Sequence, residues 1–280
     1  MRLSRGRSAR HALTGVFWTD LKMISLARKR LHDAAVPPNT LIYAVGDIHG
    51  RLDLLDRLLA WVVEDARAAG PEVNAQIIFL GDYVDRGPDS MGVLERLSSL
   101  CVEGLSVTTL KGNHEQMMLE ILDSPEKWPG WARAGGLATV VSYGVRPPPA
   151  NSPPEAVAEM VEALRAAVPQ KHRDFLDALQ PALEVGDFFF AHAGVRPGLP
   201  LRDQVEQDLL WIREGFLNHK GPFERVIVHG HSTDTTPMVD DYRIGVDTGA
   251  YATGVLTCVR IHGRRKELIG VNLGGVWLWS

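Results

Sequence analysis

The chain has 280 residues and a mass of 30.8 kDa, enough for one large domain or two small ones. Hydrophobic residues at 45%, charged residues at 23% and a net charge of -4 describe a globular protein and speak against general nucleic-acid binding, which needs a basic excess. Cys101 and Cys258 are too few for a disulfide framework, which fits a reducing compartment, so the cytoplasm is the expected location.

Residues 1–38 read as a basic arm carrying Arg2, Arg5, Arg7, Arg10, Arg28, Lys29 and Arg30. Thr19, Asp20 and Lys22 interrupt its one apolar stretch, so it is not a secretion signal. No later run is long enough to span a membrane, and stable membrane insertion is not expected. Leu13, Phe17, Leu21, Ile24 and Leu31 fall near helical spacing, as in an amphipathic helix that touches anionic lipid or a partner. A loosely ordered tail is commoner and is the expectation here. Pro37-Pro38 closes the arm.

Residues 39–280 read as one domain of alternating strands and helices, an α/β layered fold. Leu41 to Val45 is the first strand, and Leu52, Leu55, Leu58, Leu59 and Val62 recur at helical spacing before Gly70-Pro71. The strand Ile77 to Leu80 completes a βαβ unit. A helix from about Ser90 leads to the strand Leu105 to Leu110. A helical excursion over about 120–182, with helices from Glu155 to Val168 and Lys171 to Leu179, is expected to form a cap. Further strands are Val185 to Ala191, Val226 to Val228 and Ile244 to Val246, and Gly254 to Val259 with Glu267 to Val271 form a terminal hairpin. There is no internal repeat.

The apolar strands end, one after another, in a small residue followed by Asp, Asn or His. LIYAV runs into Gly46-Asp47-Ile48-His49-Gly50, IIFL into Gly81-Asp82-Tyr83-Val84-Asp85-Arg86-Gly87, and TTL into Lys111-Gly112-Asn113-His114-Glu115. FFFA precedes His192, and VIV precedes His229-Gly230-His231. Ligand sites of open α/β sheets lie beyond the carboxyl ends of the strands, so these side chains are expected to converge. An Asp, Asn and His cluster without thiolate suits manganese, iron or zinc and has too few carboxylates for a calcium cage. A pair of ions would need one shared carboxylate.

The ordered motifs GDIHG, GDYVDRG and GNHE, followed by the later histidines, resemble the phosphoprotein phosphatase family of the calcineurin-like metallophosphoesterase superfamily. Calcineurin and the bacterial and phage serine/threonine phosphatases belong to it. The resemblance spans roughly residues 41–260 and implies a central β-sandwich flanked by helices on both sides, with a helical cap inserted. It also implies two divalent cations, manganese first with iron or zinc as alternatives. Asp47 and His49 would lie on the first ion, Asp82 would bridge both, and Asn113, His192 and His231 would complete the second. The implied reaction is hydrolysis of phosphoserine or phosphothreonine in a phosphoprotein or phosphopeptide by a metal-bridging hydroxide that attacks phosphorus directly. His231 rather than His229 matches the family's metal ligand, although Ser232-Thr233 stands where the family has Thr-Pro.

The resemblance further implies that His114 is the general acid, with Asp85 orienting it, and that Arg86 and Arg213 bind phosphate. The chemistry agrees. A serine alkoxide is a poor leaving group, and a cationic histidine that protonates it contributes roughly 10² to 10⁴ in rate. Planar guanidinium forks suit tetrahedral oxyanions. Asp247 reads equally as a partner of a metal ligand or as a turn cap.

Three rivals remain. Cys258 to Arg264 has the C-x5-R spacing of cysteine phosphatases, but its context reads as a hairpin rather than a phosphate loop before a helix. Hydrolases of symmetrical dinucleoside polyphosphates such as diadenosine tetraphosphate share the same motifs, and Trp128, Trp131, Tyr143 and Trp211 would either stack on a base or pack the cap. An inactive scaffold is the weakest, since the motif residues are all retained.

Overall fold

The computed structural model describes residues 29–280, so the helical spacing from Leu13 to Ile24 lies outside it. In chain order, β1 (Thr40–Val45) leads through α1 (Leu52–Ala68) to β2 (Asn74–Phe79), and α2 (Ser90–Ser98) leads to β3 (Leu105–Thr109). The helical excursion comprises α3 (Asn113–Asp123), α4 (Trp128–Trp131), α5 (Leu137–Ser142), α6 (Pro154–Ala167) and α7 (Gln170–Asp177). Then come β4 (Ala182–Val185), β5 (Phe188–Ala191), α8 (Glu206–Trp211), α9 (Glu214–Leu217), β6 (Val226–His229), β7 (Met238–Val239), β8 (Arg243–Gly245) and α10 (Ala250–Thr253). The chain closes with β9 (Leu256–His262), β10 (Arg265–Asn272) and β11 (Gly275–Leu278). Among the described residues no helix is long and apolar enough to cross a membrane.

The strands form two sheets, ordered β11-β10-β9-β1-β2-β3 and β4-β5-β6-β8-β7. Side chains alternate across each strand and so build the layers. Leu41, Tyr43 and Val45 of β1 join Leu54, Leu55 and Leu58 of α1 on the outer face of the first sheet. Ile42 and Ala44 point the other way and meet Phe188, Phe190, Val226 and Val228 of the second sheet. The reverse faces of β5 and β6, through Phe189 and Ile227, pack on Leu209 and Phe216 of α8 and α9. The result is the expected sandwich with helices on both faces.

Within the first sheet β1, β2 and β3 run parallel, and within the second β5, β6 and β8 do. Their carboxyl ends place the motif loops side by side. The α1 helix forms because its leucines recur at three- and four-residue spacing, whereas α6 starts at Pro153-Pro154, where a missing N–H costs nothing.

Three expectations are corrected. Val185 to Ala191 is not one strand but the hairpin β4–β5, broken by a turn at Gly186-Asp187. The loose arm does not extend to residue 38, because Ala34 and Val36 are buried between the sheets and Asp187 accepts from Lys29 Nζ at 2.8 Å and from the Ala35 N–H at 2.9 Å. The terminal hairpin carries a third strand, β11, which pairs antiparallel with β10.

Candidate metal centre

The loops after β1, β2, β3, β5 and β6 meet through their backbones before their side chains do. The N–H groups of Ile48 and His49 both donate to the carbonyl of Asp82, at 3.0 and 2.9 Å, and Gly230 N–H donates to the carbonyl of His192 at 2.8 Å. Glu115, fully buried, accepts from the N–H groups of Asp82, Tyr83 and Gly112 at 2.9, 2.7 and 2.9 Å. In these loops His49, Asp82, Asp85, Arg86 and His231 take φ values of 44, 54, 74, 66 and 61°. A non-glycine residue in that region costs about 1–2 kcal/mol, and such positions cluster where function over-determines the backbone.

Asp47, His49, Asp82, Asn113, His192 and His231 converge, each with at most 4% of its surface exposed. His49 Nδ1 donates to the Val84 carbonyl at 2.7 Å and His192 Nδ1 to the Leu80 carbonyl at 2.9 Å. Each bond fixes the tautomer and leaves Nε2 as a lone pair aimed inward. His49 Nε2 lies 3.5 Å from Asp82 Oδ2, and His192 Nε2 lies 3.3 Å from Asp82 Oδ1, so one carboxylate addresses both imidazoles. Asn113 Oδ1 is 2.9 Å from His192 Nε2, and Asp47 Oδ2 is 4.0 Å from His49 Nε2.

Burial dominates the electrostatics. Together with the charges of Asp247 and Asp82, it pushes Asp47 well above the usual carboxylate range. It also holds His49 and His192 well below the usual histidine range, and lowers His231 to about 3 with help from Arg213 and His114. Neutral imidazoles beside crowded carboxylates are an environment a divalent cation relieves. Two overlapping groups have donor atoms within 4.8 Å of one another: His49, Asp82 and His114, and Asp82, His192 and His231. His231 Nε2 is buried without a hydrogen-bond partner among the described residues. An orphaned imidazole nitrogen beside a shared carboxylate fits a pair of cations.

His114 sits at the edge of this cluster. Its Nδ1 is 2.6 Å from Asp85 Oδ2, and its Nε2 is 3.0 Å from Arg86 Nη2 and 3.8 Å from Asp82 Oδ2. Burial would lower its pKa, but the carboxylates of Asp82 and Asp85 outweigh that and raise it. Arg86 also reaches His49 Nε2 at 3.0 Å, and its guanidinium carbon lies 5.0 Å from the ring centroid of Tyr251. Arg213 is exposed at the start of α9, near enough to His231 to weigh on its charge. Trp211 is exposed too, its ring 6.4 Å from that of His231, whereas Trp128, Trp131 and Tyr143 are buried.

Of the residues set apart in the sequence, His229 turns away from the cluster and packs edge-on against Phe216 at 5.0 Å. Asp247 caps the following turn, accepting from the N–H of Gly249 at 2.9 Å and from Thr233 Oγ1 at 2.6 Å, and its negative charge bears on Asp47 and Asp82. Cys258 lies in mid-strand, paired with Val45 and Ile269, and burial raises its thiol pKa. A phosphate loop cannot form there.

The family profile of calcineurin-like phosphoesterases matches residues 40–254, the span that carries Asp47, His49, Asp82, Asp85, Arg86, Asn113, His114, His192, Arg213 and His231. The chain belongs to the calcineurin-like phosphoesterase family. Members of this metallophosphoesterase superfamily use two divalent metals. This phosphoesterase is 29% identical over 226 residues to serine/threonine-protein phosphatase 1 of Salmonella typhimurium, covering 79% of its own chain and 91% of that relative. It is 30% identical over 192 residues to the symmetrical bis(5'-nucleosyl)-tetraphosphatase of an Acidovorax species, covering 66% of its own chain. It spans about a quarter to a half of the length of the symmetrical tetraphosphatases it matches. The cold-active protein-tyrosine phosphatase of a Shewanella species shares the fold, with a TM-score of 0.52 and 16% identity over 89% of this chain and 84% of that one.

The roles of several residues near the site are not marked in the sequence. Glu115 closes the GNHE motif, with nothing to mark it as the anchor of the Asp82 loop. Thr139 and Trp131 reach Asp85 from distant elements, and Ser90 reaches it from the start of α2. Tyr251 stands edge-on to His49 at 5.4 Å.

Proposed function

We propose that this phosphoesterase hydrolyses phosphoserine and phosphothreonine esters in proteins or peptides. Asp47, His49 and Asp82 would hold one divalent cation, and Asp82, Asn113, His192 and His231 the other, with manganese as the expected metal. Bound there, the cations would supply Lewis acidity to activate water and charge to neutralise the phosphoryl oxygens.

The remaining chemistry belongs to side chains. Arg86 and Arg213 bind and orient the phosphoryl oxygens with planar donor forks. His114 delivers a proton from Nε2 to the departing serine or threonine oxygen, and Asp85 stabilises the imidazolium through Nδ1. The buried floor excludes bulk water from these contacts.

The observation that carries this reading is the 2.6 Å His114–Asp85 pair beside Asp82, because a proton donor of this kind matters most for an alkoxide leaving group. The 91% coverage of a serine/threonine phosphatase supports the same choice.

A second reading, hydrolysis of symmetrical dinucleoside polyphosphates, draws on Trp211 and Tyr251. These two exposed aromatic rings flank His231 and His49 and would offer stacking surfaces to bases. Comparing a phosphoserine peptide with diadenosine tetraphosphate under identical Mn²⁺ conditions separates the two. A larger kcat/KM for the peptide is expected, and a larger value for the dinucleotide would replace the first reading with the second.

A further inference from the structure

Asp85 is fully buried, and its carboxylate is gripped from three directions. Oδ2 accepts from His114 Nδ1 at 2.6 Å and from Trp131 Nε1 at 2.7 Å, while Oδ1 accepts from Thr139 Oγ1 at 2.6 Å. The backbone N–H of Asp85 donates to Thr139 Oγ1 at 2.9 Å and to Ser90 Oγ at 3.0 Å. Trp131 and Thr139 lie 46 and 54 residues further along the chain, in α4 and α5 of the cap. The same stretch also holds the neighbouring arginine. Arg86 N–H donates to the Gly135 carbonyl and Arg86 Nε to the Ala134 carbonyl, both at 3.2 Å. Gly135 has φ 119°, and a Cβ there would stand 2.6 Å from Arg86 Cγ, so only glycine allows the approach.

Asp85 and Arg86 are consecutive left-handed residues, and local sequence gives them no reason to stay so. The cap supplies that reason. We infer that Trp131 and Thr139 are positioning residues for the proton donor: by fixing the Asp85 carboxylate they aim the His114 imidazole, so the cap completes the reaction centre as well as shaping the approach to it. This rests on the proposed role of His114 as general acid.

A carboxylate that loses one of three fixed donors can rotate, and the imidazole it holds loses its aim. The consequence depends on the leaving group. A nitrophenolate departs without help, whereas a serine alkoxide needs the proton. A residue that merely stabilised the fold would affect both substrates alike.

The test uses the full chain loaded with Mn²⁺ and compares p-nitrophenyl phosphate with a phosphoserine peptide for wild type, Thr139→Val, Thr139→Ser, Trp131→Phe and His114→Asn. Thr139→Val preserves shape and removes the hydroxyl, and Trp131→Phe removes the indole N–H. Each is expected to lower kcat on the peptide about 10- to 100-fold, the usual worth of a hydrogen bond to a charged group, with KM little changed. On p-nitrophenyl phosphate the loss should stay below about threefold, as the proton donor is not needed there. Thr139→Ser should restore the peptide activity, and His114→Asn should show the same substrate gap in larger form. Equal losses on both substrates for Thr139→Val and Trp131→Phe, or none, overturn the inference while His114→Asn keeps its gap. A His114→Asn variant without a gap overturns the acid assignment itself, and this inference with it.

Discussion

The backbone N–H of His231 donates to both carboxylate oxygens of Asp47, at 3.1 and 3.2 Å, and so latches the loop after β6 in one sheet onto the loop after β1 in the other. The latch depends on a close approach. A Cβ on Gly230 would stand 2.1 Å from Asp47 Oδ1. Gly230→Ala is therefore expected to leave the folded core intact while weakening Mn²⁺ binding about 10- to 100-fold, the range typical when the support of a metal ligand is removed. Metal content after dialysis measures this, and wild-type retention of Mn²⁺ would show that the latch is dispensable.

Glu115 should matter to stability before it matters to chemistry. Replacing it with Gln exchanges an accepting oxygen for an amide N–H₂ that faces backbone donors at Asp82, Tyr83 and Gly112. One unsatisfied buried donor costs about 1–3 kcal/mol, which lowers Tm by about 2–12 °C for a domain of this size. Calorimetry of Glu115→Gln reads the shift, and an unchanged Tm contradicts the anchoring role.

The cap is tied to α2 by a charge cluster that titrates in acid. Glu95 accepts from Lys171 Nζ at 2.6 Å and faces His172 Nε2 at 3.0 Å, and these bonds hold its carboxyl down to about 2. A depressed carboxyl contributes stability above its unfolded value, near 4.5, and loses that contribution as pH falls toward 2. Wild type should therefore be more stable than Glu95→Gln at neutral pH, with the gap in Tm closing as pH drops through this window. Because Glu95 is exposed the gap should also shrink in high salt. A gap independent of pH would assign the effect to something other than charge.

Cys258 should be chemically silent. The exposed Cys101 is expected to react with iodoacetamide in the native protein while Cys258 stays protected, and Cys258→Ala should keep its metal-dependent turnover. Abolished turnover in a folded Cys258→Ala variant would reopen the cysteine-phosphatase reading.

The parallel strands are legible in the sequence because burial on both faces makes each a short unbroken apolar run, and the Asp, Asn and His residues at their ends are legible because the strand marks where the polar loop begins. Convergence follows from topology alone. What stays hidden depends on contacts between distant segments. Trp131 reads as cap packing, since nothing near it in the chain announces that its N–H meets Asp85. The split of β4 from β5 is masked because Gly186-Asp187 interrupts a run whose flanks are equally apolar. The docking of residues 29–38 is masked because its few apolar side chains, Leu31, Ala34 and Val36 among them, look like part of a basic tail.

The most direct test of the central claim is hydrolysis of a phosphoserine peptide by chelator-stripped protein titrated with Mn²⁺. Turnover should be absent in the stripped protein and rise to saturation near two equivalents per chain. Full turnover without metal, or none at any Mn²⁺ level, would contradict a two-cation phosphomonoesterase built on Asp47, His49, Asp82, Asn113, His192 and His231.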